Sequence, residues 1–138
     1  GENMTESKRD YAAESLKMLH RDGVDEDKHL VTEINGKPTA QVMFFNGLSR
    51  TVNNGSLDSL PNPYISDNLA FSFQLSYQAA KYYPHFTRCI YLKGYRYNLH
   101  VRPKSILLEV GAQTNTVQEA MNAMEPFSVI LNKVLKGE

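Results

Sequence analysis

Apolar positions along this chain recur with more than one period, and each change of period marks a change of element. Residues 1–10 are polar and charged and read as a flexible end. Residues 11–19 (YAAESLKML) favour a helix whose last residues could also extend into a strand. His20-Arg21-Asp22-Gly23 breaks that pattern, and residues 24–28 are acidic and loop-like. "LVTEINGKPTAQVMFF" has strand-like arms around Asn35-Gly36, the preferred two-residue turn, which predicts a β-hairpin at about 29–46. Residues 46–63 are rich in Asn, Gly, Ser and Pro and read as a long surface loop. The period then becomes helical from Tyr64 to Tyr83, with Leu69, Phe73, Tyr77 and Ala80 on one face. Ser66 or Asp67 is available to cap that helix, and Pro84 ends it.

The second half alternates strands with helices. "FTRCIYL" (86–92) reads as a strand, "KGYRYNLHVRPK" as a loop, and "SILLEVGA" as a buried strand. Thr116-Val117-Gln118-Glu119 forms a capping-box pattern at the head of a last helix. That helix turns Ala120, Met124, Phe127, Leu131 and Val134 inward. Pro126 interrupts it, which costs up to about 3 kcal/mol unless a kink absorbs it. The alternation predicts an α/β sheet covered by helices. Residues 11–138 are expected to form a single domain.

One residue in this pattern is out of place. Glu109 closes the apolar run of "SILLEVG", and a carboxylate there is costly to bury unless it is paired or binds a metal. His20 likewise ends an apolar stretch. In α/β folds, functional groups gather beyond the carboxyl ends of strands. His20 and Glu109 are thus compatible with one rim of one sheet.

Composition narrows what such a rim could do. Fifteen basic residues balance fifteen acidic ones, which argues against an electrostatic nucleic-acid or anionic-membrane surface. No apolar run is long enough to cross a bilayer, so the stretch is expected to be soluble. Cys89 is the one cysteine, so no internal disulfide forms.

The candidate chemistry is hydrolytic. A neutral imidazole is a common zinc ligand, and a carboxylate beside a zinc-bound water can take its proton. Burial would raise the pKa of Glu109 towards neutral, which suits a general base. Blander readings stand beside this one. His20 could be a hydrogen-bonded loop histidine, and Glu109 could pair with Arg21, Arg88, Arg96 or Arg102. Asp22 and Glu109 could be two glycosidase carboxylates. Tyr82, Tyr83, Tyr91, Tyr95 and Tyr97 with Arg88, Arg96 and Arg102 could form a sugar- or peptide-binding face, or simply pack near a rim. Cys89 in "RCIYL" reads as a buried small apolar residue.

Longer strings carry a resemblance. "LHRDG" (19–23), "YPHFTRCIYLKGYRYN" (83–98) and "SILLEVGAQTNTVQEA" (105–120) resemble the stage II sporulation protein P family, a group of zinc-dependent N-acetylmuramoyl-L-alanine amidases. "INGKPTAQVMFF" is similar to the family's hairpin segment. The resemblance implies a three-layer α/β amidase-like sheet with helices on both faces. It implies hydrolysis of the amide between the muramic lactyl group and L-alanine in peptidoglycan. It also implies an extracytoplasmic location, a membrane anchor in full-length members, and action with stage II sporulation proteins D and M. By position, His20 would be a zinc ligand and Glu109 the catalytic acid/base. Arg21 and Asp22 would orient the ligand loop, Asn115 would shape the rim, and Arg88 and Asn98 would face substrate or hold the loop.

The chain also departs from the family pattern. Members carry another histidine and a glutamate ligand ahead of the "LHRDG" position. Here nineteen residues precede His20 and none is a histidine. His29, His85 and His100 are assigned no zinc role by the resemblance. The expectation is therefore a domain shortened on its N-terminal side, with zinc occupancy in doubt. The alternative to an amidase is a catalytically incomplete relative that binds cell-wall glycopeptide or a partner protein. A shortened sheet would also leave an unpaired edge, which invites self-association.

Overall fold

The "SILLEVGA" run forms a strand because every one of its residues is buried, with aliphatic side chains to fill both faces. In the computed structural model, which describes residues 16–138, this strand is β8 (Ser105–Ala112). It lies inside a mixed four-stranded sheet of order β1-β8-β4-β7. β1 (Leu16–Asp22) runs parallel to β8 on one side. β4 (Val42–Gly47) runs antiparallel to β8 on the other side, and β7 (Thr87–Lys93) runs parallel to β4 at the far edge.

The predicted hairpin exists but is shorter. β2 (Val31–Ile34) and β3 (Lys37–Ala40) pair antiparallel around Asn35-Gly36, both with positive φ (52° and 74°), as this turn demands. The chain then leaves the hairpin at Gln41 and enters the main sheet as β4. The unbroken apolar run Val42–Phe45 belongs to a central strand there, not to a hairpin arm. Within the predicted loop, β5 (Arg50–Thr51) and β6 (Gly55–Ser56) make a second small hairpin.

The helix α1 (Ile65–Tyr82) falls where the period placed it, but its buried face is different. Phe71, Leu75 and Ala79 face the sheet, with Asn68 and Ser72 in the same stripe, while Phe73 and Tyr77 are 64% and 62% exposed. The polar members of the stripe are satisfied. Asn68 donates to Leu99 O (2.8 Å) and accepts from Ser105 N (2.8 Å), and Ser72 accepts from Asn46 (2.8 Å). A stripe with hydrogen-bonded polar residues is invisible to a search for apolar period. Neither Ser66 nor Asp67 caps the helix; Tyr64 holds the cap position with no side-chain hydrogen bond.

The capping box is present as read. Thr116 accepts from Glu119 N while the Glu119 carboxylate accepts from Thr116 N, and this opens α2 (Val117–Asn122). The interruption falls at Ala123, which keeps helical dihedrals (φ −69°, ψ −21°) between two separate helical segments. α3 (Met124–Lys136) follows, and Pro126 lies in its first turn, where its missing N–H breaks no helical bond.

Residues 16–19 are strand, the alternative left open for the end of that stretch; residues 11–15, where the helix was expected, and the end at 1–10 lie outside the described residues. Leu, Lys and Met favour helix weakly, and pairing with β8 at six positions outweighs that preference. One core joins Val42, Phe44, Ile106, Leu108 and Val110 of the sheet to Phe71, Leu75, Phe127 and Ile130 of the helices. Among the described residues, α1 and α3 thus pack on one face of the sheet. The α/β class is as expected, and the second helical layer is not found among them.

Candidate active site

Alternation along β8 separates two sets of side chains. Ile106, Leu108 and Val110 enter the helix-covered core, so Leu107 and Glu109 point to the opposite face. The register fixes the neighbours of Glu109 there. His20 of β1 is its partner on one side and Met43 of β4 its partner on the other. Register partners on adjacent strands share a face, so the imidazole, the carboxylate and the thioether form one row across three strands. This is the juxtaposition on which the hydrolytic reading depends.

Two irregularities in the sheet add to that row. On β7, Thr87 pairs with Val42 and Ile90 with Phe44, so both Arg88 and Cys89 stand opposite Met43. This extra residue re-aims side chains, as bulges beside functional sites commonly do. Cys89 Sγ lies 3.9 Å from Met43 Sδ, and Arg88 Nη1 donates to Asp22 Oδ2 at 2.7 Å. On the other side, His20 pairs with Glu109 but Asp22 with Ala112, so Val110 and Gly111 stand opposite Arg21. Gly111 has φ 60°, and a Cβ there would come within 2.5 Å of Asn115 Oδ1, so only glycine fits. Since β1 and β7 are the outer strands of this sheet, the Asp22–Arg88 pair spans β8 and β4.

Glu109 is 9% exposed, and its Oε2 is enclosed without a hydrogen-bond partner. Burial pushes its pKa up, and the negative charge of Asp22 pushes the same way; His20 and Arg88 only partly offset them. The alternative salt bridge from Glu109 to Arg21, Arg88, Arg96 or Arg102 is not formed among the described residues. Arg88 is turned to Asp22, and Arg21 donates to the backbone oxygens of Asn115 (2.9 Å) and Thr116 (3.3 Å). A carboxyl that is buried, unpaired and raised in pKa exchanges protons closer to neutrality than a free one does.

The family model of stage II sporulation protein P matches residues 9–132, a span that contains His20, Arg88 and Glu109. The chain belongs to the stage II sporulation protein P family. No curated protein and no solved structure matches it significantly. Membership ties the chain to sporulation. No helix among the described residues is long and apolar enough to cross a membrane.

The other residues that the family resemblance singled out divide sharply. Asp22 and Arg88 reach the face of Glu109. Asn115 does not; it is a scaffold residue. Its Oδ1 accepts from Ala112 N (2.8 Å), and its Nδ2 donates to Leu30 O (3.0 Å) and to Glu119 (2.8 Å). It fastens the turn after β8 to the hairpin and to α2. Asn98 is exposed in the loop after β7, with φ 60°. Cys89 is exposed, which corrects the buried position expected of it, because the bulge turns it out of the core.

The tyrosines also separate. Tyr97 and Tyr91 pack against Phe45 at 4.8 and 4.9 Å between ring centres, and Tyr95 adds to Tyr97 at 5.8 Å. Phe45 is two residues from Met43 on β4, so this aromatic group shares the face of Glu109. Tyr82 and Tyr83 lie elsewhere, the first beside Lys133 and the second against Phe86. Arg96 reaches Pro61 O at 3.4 Å rather than the row. Met43 and Phe45 belong to a continuous "VMFF" run, which is the sequence signal of a central strand.

Among the described residues, no three His, Cys, Asp or Glu side chains converge on a point where a metal ion could sit. His20 offers one imidazole and Asp22 is engaged by Arg88. A catalytic zinc takes about three protein ligands, so these residues do not by themselves fit that ion.

Proposed function

We propose that this domain hydrolyses an amide of peptidoglycan, the bond between the muramic lactyl group and L-alanine, with Glu109 as the proton-transferring group. The observation that carries the reading is the register partnership of His20 and Glu109, with the enclosed Oε2 of Glu109 left unpartnered. Glu109 takes a proton from the attacking water and returns it to the departing alanine amine as the C–N bond breaks. The raised pKa supports both halves of that cycle. The aromatic group of Phe45, Tyr91, Tyr95 and Tyr97 supplies a platform beside the row for a sugar or peptide. His20 is the imidazole on this face that would meet a zinc ion, and the proton steps of Glu109 are the same whichever group polarises the carbonyl. The resemblance adds an extracytoplasmic setting and stage II sporulation proteins D and M as partners.

The test is mass spectrometry of purified cell wall incubated with the protein. New stem peptides with a free alanine amine, lost in Glu109→Gln, are the expected outcome. No released peptide, or release unchanged by Glu109→Gln, rejects the proposal.

A second reading, a non-catalytic binder of cell-wall glycopeptide or of a partner protein, is favoured by one observation: no metal-binding trio converges among the described residues. Retention on peptidoglycan that survives both chelator and Glu109→Ala, without peptide release, supports the binder. Loss of retention with chelator contradicts it.

A further inference from the structure

The Asp22–Arg88 pair has an unusual position for a structural ion pair. Its partners sit on the two outer strands, so the contact crosses β8 and β4 on the face that carries Glu109. Both side chains are only partly buried, 23% and 24% exposed. Water therefore reaches the pair and screens it in part. The bulge on β7 lets Arg88 and Cys89 both stand opposite Met43, since without the extra residue one of the two would face the helices. Among the described residues, Arg88 donates one hydrogen bond, from Nη1, out of five available N–H groups. A guanidinium used through one donor is poorly matched, because its fork suits two parallel bonds to one carboxylate.

We infer that Arg88 is a specificity residue that docks a carboxylate of the ligand, and that Asp22 holds that position in the free protein. This rests on the reading that the face around Glu109 receives a peptide-bearing substrate. Any ligand reaching Glu109 meets the bridge of Asp22 and Arg88. A ligand carboxylate replaces one monodentate contact with a bidentate one, so the bridge opens for an acidic peptide and resists a neutral one. Asp22 is thus a competitor for the same guanidinium, and removing its charge strengthens binding. A purely structural pair behaves in the opposite way.

The experiment compares three blocked dipeptides that differ in charge. They are acetyl-alanyl-glutamine amide, acetyl-alanyl-glutamate amide, and acetyl-dialanine with a free terminus. Affinity is read by NMR titration of the whole chain, with folding of each variant checked by circular dichroism. Cys89 supplies a second readout, since it is the one cysteine, is exposed, and shares the bulge with Arg88. A peptide seated on Arg88 slows its alkylation by iodoacetamide. The native chain is expected to bind at least one charged peptide on the order of tenfold more tightly than the neutral one. Which of the two binds better distinguishes a side-chain from a terminal carboxylate. Asp22→Asn is expected to tighten that binding several-fold, and Arg88→Gln to erase the preference. Arg88→Lys keeps the charge without the fork and is expected to keep only part of the preference. Equal binding of all three peptides by the native chain, including no binding of any, overturns the inference. So does Asp22→Asn that leaves the charged peptide's affinity unchanged or weaker. These readouts need no turnover. A chain that discriminates but releases no cell-wall peptide refutes the amidase and keeps Arg88; an active chain without discrimination does the reverse.

Discussion

Two buried glutamates, ten residues apart, stand in opposite circumstances. Glu109 and Glu119 are 9% and 7% exposed, so burial penalises the charge of both. Glu119 is well provided for at one oxygen, Oε2. Its carboxylate meets His29 Nε2 at 2.7 Å, Asn115 Nδ2 at 2.8 Å and Thr116 N at 3.0 Å. Burial alone would raise its pKa, but those hydrogen bonds, that of His29 foremost, leave it below the ordinary range. Glu109 has an enclosed oxygen with no partner and a pKa above the ordinary range. The comparison teaches that burial does not assign a role to a carboxylate. Its hydrogen bonds do: a satisfied acid fastens a fold, and an unsatisfied one is available for chemistry.

The largest expected effect falls on the unsatisfied member. Glu109→Gln is expected to lower peptide release by about 10²- to 10⁴-fold, the usual share of a general acid–base group. The same change is expected to raise the melting temperature near neutral pH. A group with a raised folded pKa stabilises the fold below its unfolded pKa, and that contribution is lost as pH rises through the folded value. Removing the charge removes the loss. Thermal melting of both proteins checks this; a less stable Glu109→Gln would mean the charge has a partner after all.

The satisfied member responds through its neighbours. Asn115→Ala strips partners from Ala112 N, Leu30 O and Glu119 at once, and is expected to cost about 2–3 kcal/mol in urea denaturation. Glu119→Gln is expected to cost about 1 kcal/mol near neutral pH, since His29 is half exposed and the pair is partly screened. The sign with pH is the reverse of that for Glu109. A lowered folded pKa stabilises above the unfolded value of about 4.3, and the contribution is lost as pH falls through the folded value. The gap between native and Glu119→Gln stabilities should therefore close below that range. Thr116→Ala, which removes only the cap, is expected to cost about 1 kcal/mol or less.

Legibility in the sequence followed the same division. Features built from neighbouring residues were plain: the Asn35-Gly36 turn, the Thr116–Glu119 box, the buried run of β8, and the oddity of an acid inside it. Features built by pairing distant segments were not. His20 and Glu109 could be nominated separately, but their register is fixed only when β1 docks on β8. The Asp22–Arg88 contact joins residues 66 positions apart through bulges that leave no local signature. The apolar period points away from the inner face of α1 because Asn68 and Ser72 take part in that face, with partners on distant segments. Leu16–Leu19 became a strand against its own weak preference for the same reason.

Carboxyl-carbon NMR of glutamate-labelled protein, followed through an acid titration, tests the contrast most directly. Glu109 should titrate above a free glutamate and Glu119 below it. Glu109 at or beneath the free value, or the two in reversed order, would contradict the assignment of the reactive proton to Glu109.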